Sequence, residues 1–90
     1  MLIKEHKILD LAYESVRKRI ATALVELKEK YSESDDFSMK VSRETIASMA
    51  GTSIETAIRM LSEFKSDGLI EIHGSEIKVL NAHKLRTLPY

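Results

Sequence analysis

Ser42 opens an apolar-periodic segment, Gly51 closes it, and Ser53 opens the next one two residues later, so this chain must pack two helices with almost no connection between them. Serine at a helix start accepts a hydrogen bond from a first-turn N–H, and glycine just past a helix end readily takes the left-handed conformation. The spacing predicts a helix from about Arg43 to Ala50, a turn through Gly51, Thr52 and Ser53, and a further helix to about Asp67, ended by Gly68. A turn this short sets the two helices at a steep angle. Ile46, Met49 and Ala50 share one face of the first helix, and Ala47 is small where the two would approach. On the second, Ala57, Met60, Leu61 and Phe64 make one face at about 100° per residue, and this face is the predicted core side.

Downstream, Leu69-Ile70-Glu71-Ile72-His73, Gly74-Ser75 and Glu76-Ile77-Lys78-Val79-Leu80 read as strand, turn and strand, a β-hairpin. Asn81 is placed to cap a last helical turn through Leu85. Upstream, Ile3 to Tyr31 contains neither Gly nor Pro and repeats apolar residues three and four apart, from Ile8 and Leu11 to Leu24 and Leu27. Because Ser15 can cap a helix, a break is expected near Tyr13 to Ser15, dividing a lead-in helix from a longer one. Ser32 to Asp36 reads as a polar loop, and the alternation in Phe37-Ser38-Met39-Lys40-Val41 as a short strand. The predicted fold is mainly α (α+β): N-terminal helices, a three-helix core and a C-terminal β-hairpin wing, that is, a winged helix-turn-helix. Residues 1–14 would be the lead-in and 15–90 the domain proper.

Ninety residues support one small core, and no apolar run approaches the roughly 20 residues that span a bilayer, so no membrane partner is expected. The first residues, Met1-Leu2-Ile3-Lys4-Glu5-His6-Lys7, are too charged for an export signal, and a cytoplasmic location is expected. Without cysteine there is no disulfide, thiolate metal site or thiol nucleophile. His6, His73 and His83 lack ligand spacing, Asp35-Asp36 sits in the polar loop, and three glycines cannot build a nucleotide cradle. Neither catalysis, a metal nor a cofactor is expected. Fourteen basic residues balance fourteen acidic ones, so a nucleic-acid partner requires positive charge concentrated locally.

The side of the second motif helix opposite its core face carries Glu55, Arg59, Ser62 and Ser66. Glutamate can accept from cytosine N4 and arginine can donate to guanine O6 and N7, so Glu55 and Arg59, one turn apart, can read a G·C pair. The same two residues can equally form an i, i+4 surface ion pair. On the flank of that helix, Ile54 and Ile58 can touch thymine methyls or bury against Met49 or Leu27. Ser42, Arg43, Thr52, Ser53 and Thr56 stand at two helix N-termini, where phosphates are well received, although the two serines serve as caps in any case.

The stretch Val41-Ser42-Arg43-Glu44-Thr45-Ile46-Ala47-Ser48-Met49-Ala50-Gly51-Thr52-Ser53-Ile54-Glu55-Thr56-Ala57-Ile58-Arg59-Met60-Leu61-Ser62-Glu63-Phe64, followed by Asp67-Gly68-Leu69-Ile70, resembles the C-terminal domain of the cyclic-AMP receptor protein / fumarate-nitrate regulator (Crp/Fnr) family of transcription regulators. The resemblance extends through His73-Gly74 and back to Val16-Arg17-Lys18-Arg19-Ile20-Ala21, most of the chain. It implies sequence-specific binding of double-stranded DNA, with Glu55 and Arg59 on base edges and Arg17 and His73 joining the phosphate contacts. It further implies a homodimer on a palindromic operator in the full-length regulator, and a contact with RNA polymerase. Ile54 stands where cyclic-AMP receptor proteins carry Arg, and Ile58 where the fumarate-nitrate type carries Ser, so the operator sequence is not carried over. Nothing in ninety residues can form the sensor that precedes this domain in the family, so the chain reads as a piece of a longer regulator or as a stand-alone factor. A winged-helix module that binds protein instead of DNA is the alternative the neutral charge permits.

Overall fold

The computed structural model describes the backbone of residues 2–31 and 38–88, with side chains for residues 16–30 and 38–88. Seven elements follow in order: α1 (Leu2–Tyr31), β1 (Ser38–Lys40), α2 (Arg43–Ala50), α3 (Ile54–Ser66), β2 (Ile70–His73), β3 (Glu76–Val79) and α4 (Ala82–Arg86). The expected break near Tyr13 to Ser15 is absent: α1 is one helix of 30 residues. A single serine between strong helix formers, with no Gly or Pro nearby, costs a helix only a few tenths of a kcal/mol, too little to interrupt it. The polar loop expected over Ser32 to Asp36, the first residue of the expected strand, Phe37, and the closing Pro89 lie outside the described residues.

Both motif helices start and stop as their residues dictate. In α2 the Ser42 hydroxyl accepts from the Thr45 N–H at 3.0 Å, and Gly51, at φ 67°, closes the helix with its N–H directed at the Ala47 and Ser48 carbonyls. Ser53 repeats the arrangement for α3, accepting from the Thr56 N–H at 3.2 Å. At the other end the Leu69 N–H reaches back to the Phe64 carbonyl at 2.9 Å, which turns the chain into β2.

The hairpin is the larger part of a three-stranded antiparallel sheet of order β1-β3-β2, with Met39 opposite Ile77 and Ile72 opposite Ile77 on its other side. The short strand expected from the alternation in residues 37–41 thus has a partner, the second strand of the wing. Beneath the sheet lies a core of Ile20, Leu24 and Leu27 from α1, Ile46 and Ala47 from α2, Ala57, Met60, Leu61 and Phe64 from α3, Ile70, Ile77 and Val79 from the sheet, and Leu85 from α4. One core assignment is corrected. Met49 is 44% exposed, because the buried arc of α2 runs from Ile46 through Ala50 to Ala47, and Met49 falls about 60° outside it. Asn81 caps α4 through the Lys84 N–H at 3.0 Å, and the Lys18 ammonium donates to the Leu88 carbonyl at 3.0 Å, holding the end of the domain against α1.

Candidate nucleic-acid interface

Burying Ala57, Met60, Leu61 and Phe64 fixes the rotation of α3, and with it the side turned outward. Ile54, Glu55, Ile58, Arg59, Ser62 and Ser66 are all exposed, so among the described residues nothing, the hairpin included, covers this side. Among the described residues neither Glu55 nor Arg59 makes an ion pair, so the i, i+4 alternative is not formed and both head groups are open to a ligand. Ile54 and Ile58 are 42% and 47% exposed, so each keeps a sizeable apolar surface open beside Glu55 and Arg59.

The N-termini of α2 and α3 are built alike. In each, the cap serine hydroxyl also lies 2.9 Å from a threonine hydroxyl one turn on, Ser42 with Thr45 and Ser53 with Thr56. The caps occupy the Thr45 and Thr56 N–H groups, while the N–H groups that precede them in each first turn have no acceptor within the helix, which is the arrangement that receives anions. Thr52, half-buried in the turn, donates its N–H to the Ala47 carbonyl at 3.0 Å, and Arg43 stands at the first position of α2.

The wing is tied to this region, which no local sequence signal announces. The Val41 N–H donates to the Ser75 carbonyl at 3.2 Å, so the hairpin turn lies beside the start of α2, bringing His73, Ser42 and Arg43 to one side of the molecule. His73 is well exposed, with Nε2 3.2 Å from the Glu71 carboxylate. The charges here are mixed: Arg43 has Glu44 beside it, Arg59 has Glu55 one turn before it, and His73 has Glu71 two residues before it. The interface is not a basic stripe, and any affinity it has must come from well-placed donors more than from bulk charge.

Arg17 stands apart from the other phosphate candidates. Its guanidinium lies 5.0 Å from the centroid of the buried Phe64 ring and within 3.4 Å of Asp67 and 3.7 Å of Glu63, both on the far half of α3 or just past it. Its side chain is only 20% exposed. The structure thus shows Arg17 clamping α1 to α3, a role invisible in the sequence because its partners lie about fifty residues away. Arg86 and Glu29 form a second long-range pair, joining α4 to α1.

Among the described residues no group of His, Asp or Glu is placed to hold a metal ion, and no helix is long and apolar enough to cross a membrane. A short helix, a glycine turn, a second helix with an open outer side, and a three-stranded sheet whose hairpin flanks them define a winged helix-turn-helix. Residues 18–88 match the Crp-like helix-turn-helix domain, and the chain belongs to that family.

Individual relatives agree with this placement. The transcriptional activator protein FnrA of Stutzerimonas stutzeri is 29% identical over 82 residues, 87% of this chain and 34% of that protein. The transcriptional activator protein Anr of Pseudomonas aeruginosa is 30% identical over 88 residues, 93% of this chain and 36% of that protein. Among solved structures, the Thermus thermophilus catabolite activator protein superposes with a TM-score of 0.82 at 27% identity, covering 97% of this chain and 40% of that one. The chain therefore spans about a third of the length of these curated relatives.

Proposed function

We propose that the chain binds double-stranded DNA sequence-specifically and is the DNA-reading part of a bacterial Crp/Fnr-type transcription regulator acting in the cytoplasm. The observation that carries this reading is the open outer side of α3, where Glu55 and Arg59 are exposed, one turn apart and unpaired among the described residues. Inserted in a major groove, Arg59 donates to guanine O6 and N7 and Glu55 accepts from cytosine N4, with Ile54 and Ile58 on the adjoining flank facing bases as well. Ser42, Arg43, Thr52, Ser53, Thr56 and His73 hold phosphates and set the register without specifying sequence. Arg17 contributes indirectly, by positioning α3, since its guanidinium is already engaged.

The boundary at residue 15 belongs to this reading: residues 1–14 act as the connecting or dimerisation segment and 15–90 as the DNA-binding domain. In the full-length regulator two copies would sit on an inverted repeat with half-sites about one helical turn, roughly 34 Å, apart, where RNA polymerase can meet them. The test is retention of duplexes from a random pool by the 90-residue chain, followed by retardation of the recovered duplex with Arg59→Ala. Loss confined to the recovered sequence supports base reading by Arg59, and equal loss on random DNA removes it. The mixed charge favours one competing reading, a winged module that contacts protein, which would retard no duplex at all.

A further inference from the structure

We propose that the wing makes a proton-linked contact: His73 takes up one proton as a DNA phosphate reaches its Nδ1, and the protonated ring then bridges that phosphate and the Glu71 carboxylate. The proposal rests on the DNA-binding reading above and states how one of its backbone contacts is regulated. It begins with the outer face of the sheet. Met39, Ile70, Ile77 and Val79 are buried beneath the strands, so the alternate residues Ser38, Lys40, Glu71, His73, Glu76 and Lys78 stand on the other side. The register sets them in two rows, Ser38, Lys78 and Glu71 in one, Lys40, Glu76 and His73 in the other. His73 thus ends its row, with Glu76 directly across from it and Glu71 two residues before it on its own strand. The other charges around it are Lys40 and Lys78 in the rows, and Arg43 and Glu44 at the start of α2, which the bond from Val41 to Ser75 keeps beside the hairpin. Cations and carboxylates are close to balanced there, so the nearest group decides what the ring can do.

That group is Glu71, whose Oε2 lies 3.2 Å from Nε2 of the ring. A carboxylate only accepts, so Nε2 carries the hydrogen in this pair. In a neutral imidazole the second nitrogen is then bare, and Nδ1 offers a lone pair where a ligand needs a donor. Among the described residues Nδ1 has no partner of its own. A phosphate oxygen is an acceptor as well, and a neutral ring paired with Glu71 cannot hold it. Two acceptors on one ring require two N–H groups, which only the imidazolium has, and histidine is the side chain whose charge changes between about pH 5 and 8. Repulsion points the same way. Without the proton an arriving phosphate meets the Glu71 and Glu76 carboxylates, and with it a cation stands between them.

The test follows the affinity of the 90-residue chain for the duplex recovered from the random pool as pH is changed. The complex holds more protons than its separated parts, so binding should tighten as pH falls and weaken as it rises, by roughly three- to tenfold per unit between about pH 7 and 8. Calorimetry in the same window, in two buffers of different ionisation enthalpy, should show uptake of up to one proton. His73→Gln should flatten the profile and abolish the uptake, whereas His6→Gln and His83→Gln should change neither. Glu71→Gln has an amide that can donate to Nε2 and free a neutral Nδ1–H for the phosphate, so it should flatten the profile too while still binding at the upper end of the range. A duplex bound without proton uptake, a slope that survives His73→Gln, or a slope that survives Glu71→Gln would each overturn the proposal while leaving DNA binding intact. A chain that retains no duplex overturns both together.

Discussion

Replacing Arg17 by alanine should loosen the joint between α1 and α3 and lower stability by about 2 kcal/mol, a sum of three small effects. The guanidinium on the Phe64 ring, 5.0 Å from its centroid, contributes about 1 kcal/mol in a partly desolvated site. The pairs with Glu63 and Asp67 involve partners 37% and 54% exposed, so solvent screening holds them to a few tenths each. The remainder is the aliphatic stem, covered in a side chain only 20% exposed and lost in alanine. Arg17→Met keeps the stem and should lose only about half as much. In thermal unfolding followed by circular dichroism, about 2 kcal/mol corresponds to roughly 10 °C for a domain of this size. The same assay in high salt should narrow the gap between Arg17→Met and the parent, because only the ionic part is screened. An Arg17→Ala variant within about 0.5 kcal/mol of the parent, or one no worse than Arg17→Met, would refute the apportioning. A DNA titration over salt adds a second check. Arg17→Met should leave the slope of log K against log salt unchanged, whereas Arg43→Ala should lower it by about one.

On the recovered duplex, Arg59→Ala should cost about 1–3 kcal/mol of binding free energy and relax the preference at a single base position, as read by competition with singly substituted duplexes. Ser53→Ala removes the α3 cap and should lower stability by about 1 kcal/mol in urea unfolding, with no change in m-value. Gly51→Ala meets open space but must hold φ near 67°, so a loss of about 1–2 kcal/mol is expected from backbone strain alone. A Gly51→Ala protein as stable as the parent would mean that the turn relaxes to a different conformation.

What was legible in the sequence was whatever is decided over four or five residues. Ser42, Gly51 and Ser53 mark both ends of the short connection, and the spacing of Ala57, Met60, Leu61 and Phe64 fixes which way α3 faces, hence that Glu55 and Arg59 point outward. Errors arose where a local preference met a stronger context. Ser15 can cap a helix, yet α1 runs straight through it. Met49 matches the apolar period of α2, yet the buried arc runs through Ile46, Ala50 and Ala47 and leaves Met49 exposed. Contacts between residues far apart in the chain left no trace: neither the β1–β3 pairing nor the Arg17 clamp could be read, because nothing near Met39 points to Ile77 and nothing near Arg17 points to Asp67. For Glu55 and Arg59 the residues alone left both an ion pair and a base contact open, and the structure forms no such ion pair among the described residues.

The bond between Val41 and Ser75 has a consequence for the entropy of association. A hairpin held only by its own turn would sweep through a range of positions, and each encounter with a duplex would have to freeze it. Here the strand that leads into Ser42 is stitched to the far strand of the wing, so the gap between His73 and the start of α2 behaves like the jaw of a calliper set before measurement. If the chain docks on a duplex as proposed, little freedom is left to lose, and the loss avoided would appear as tighter binding without a single added contact.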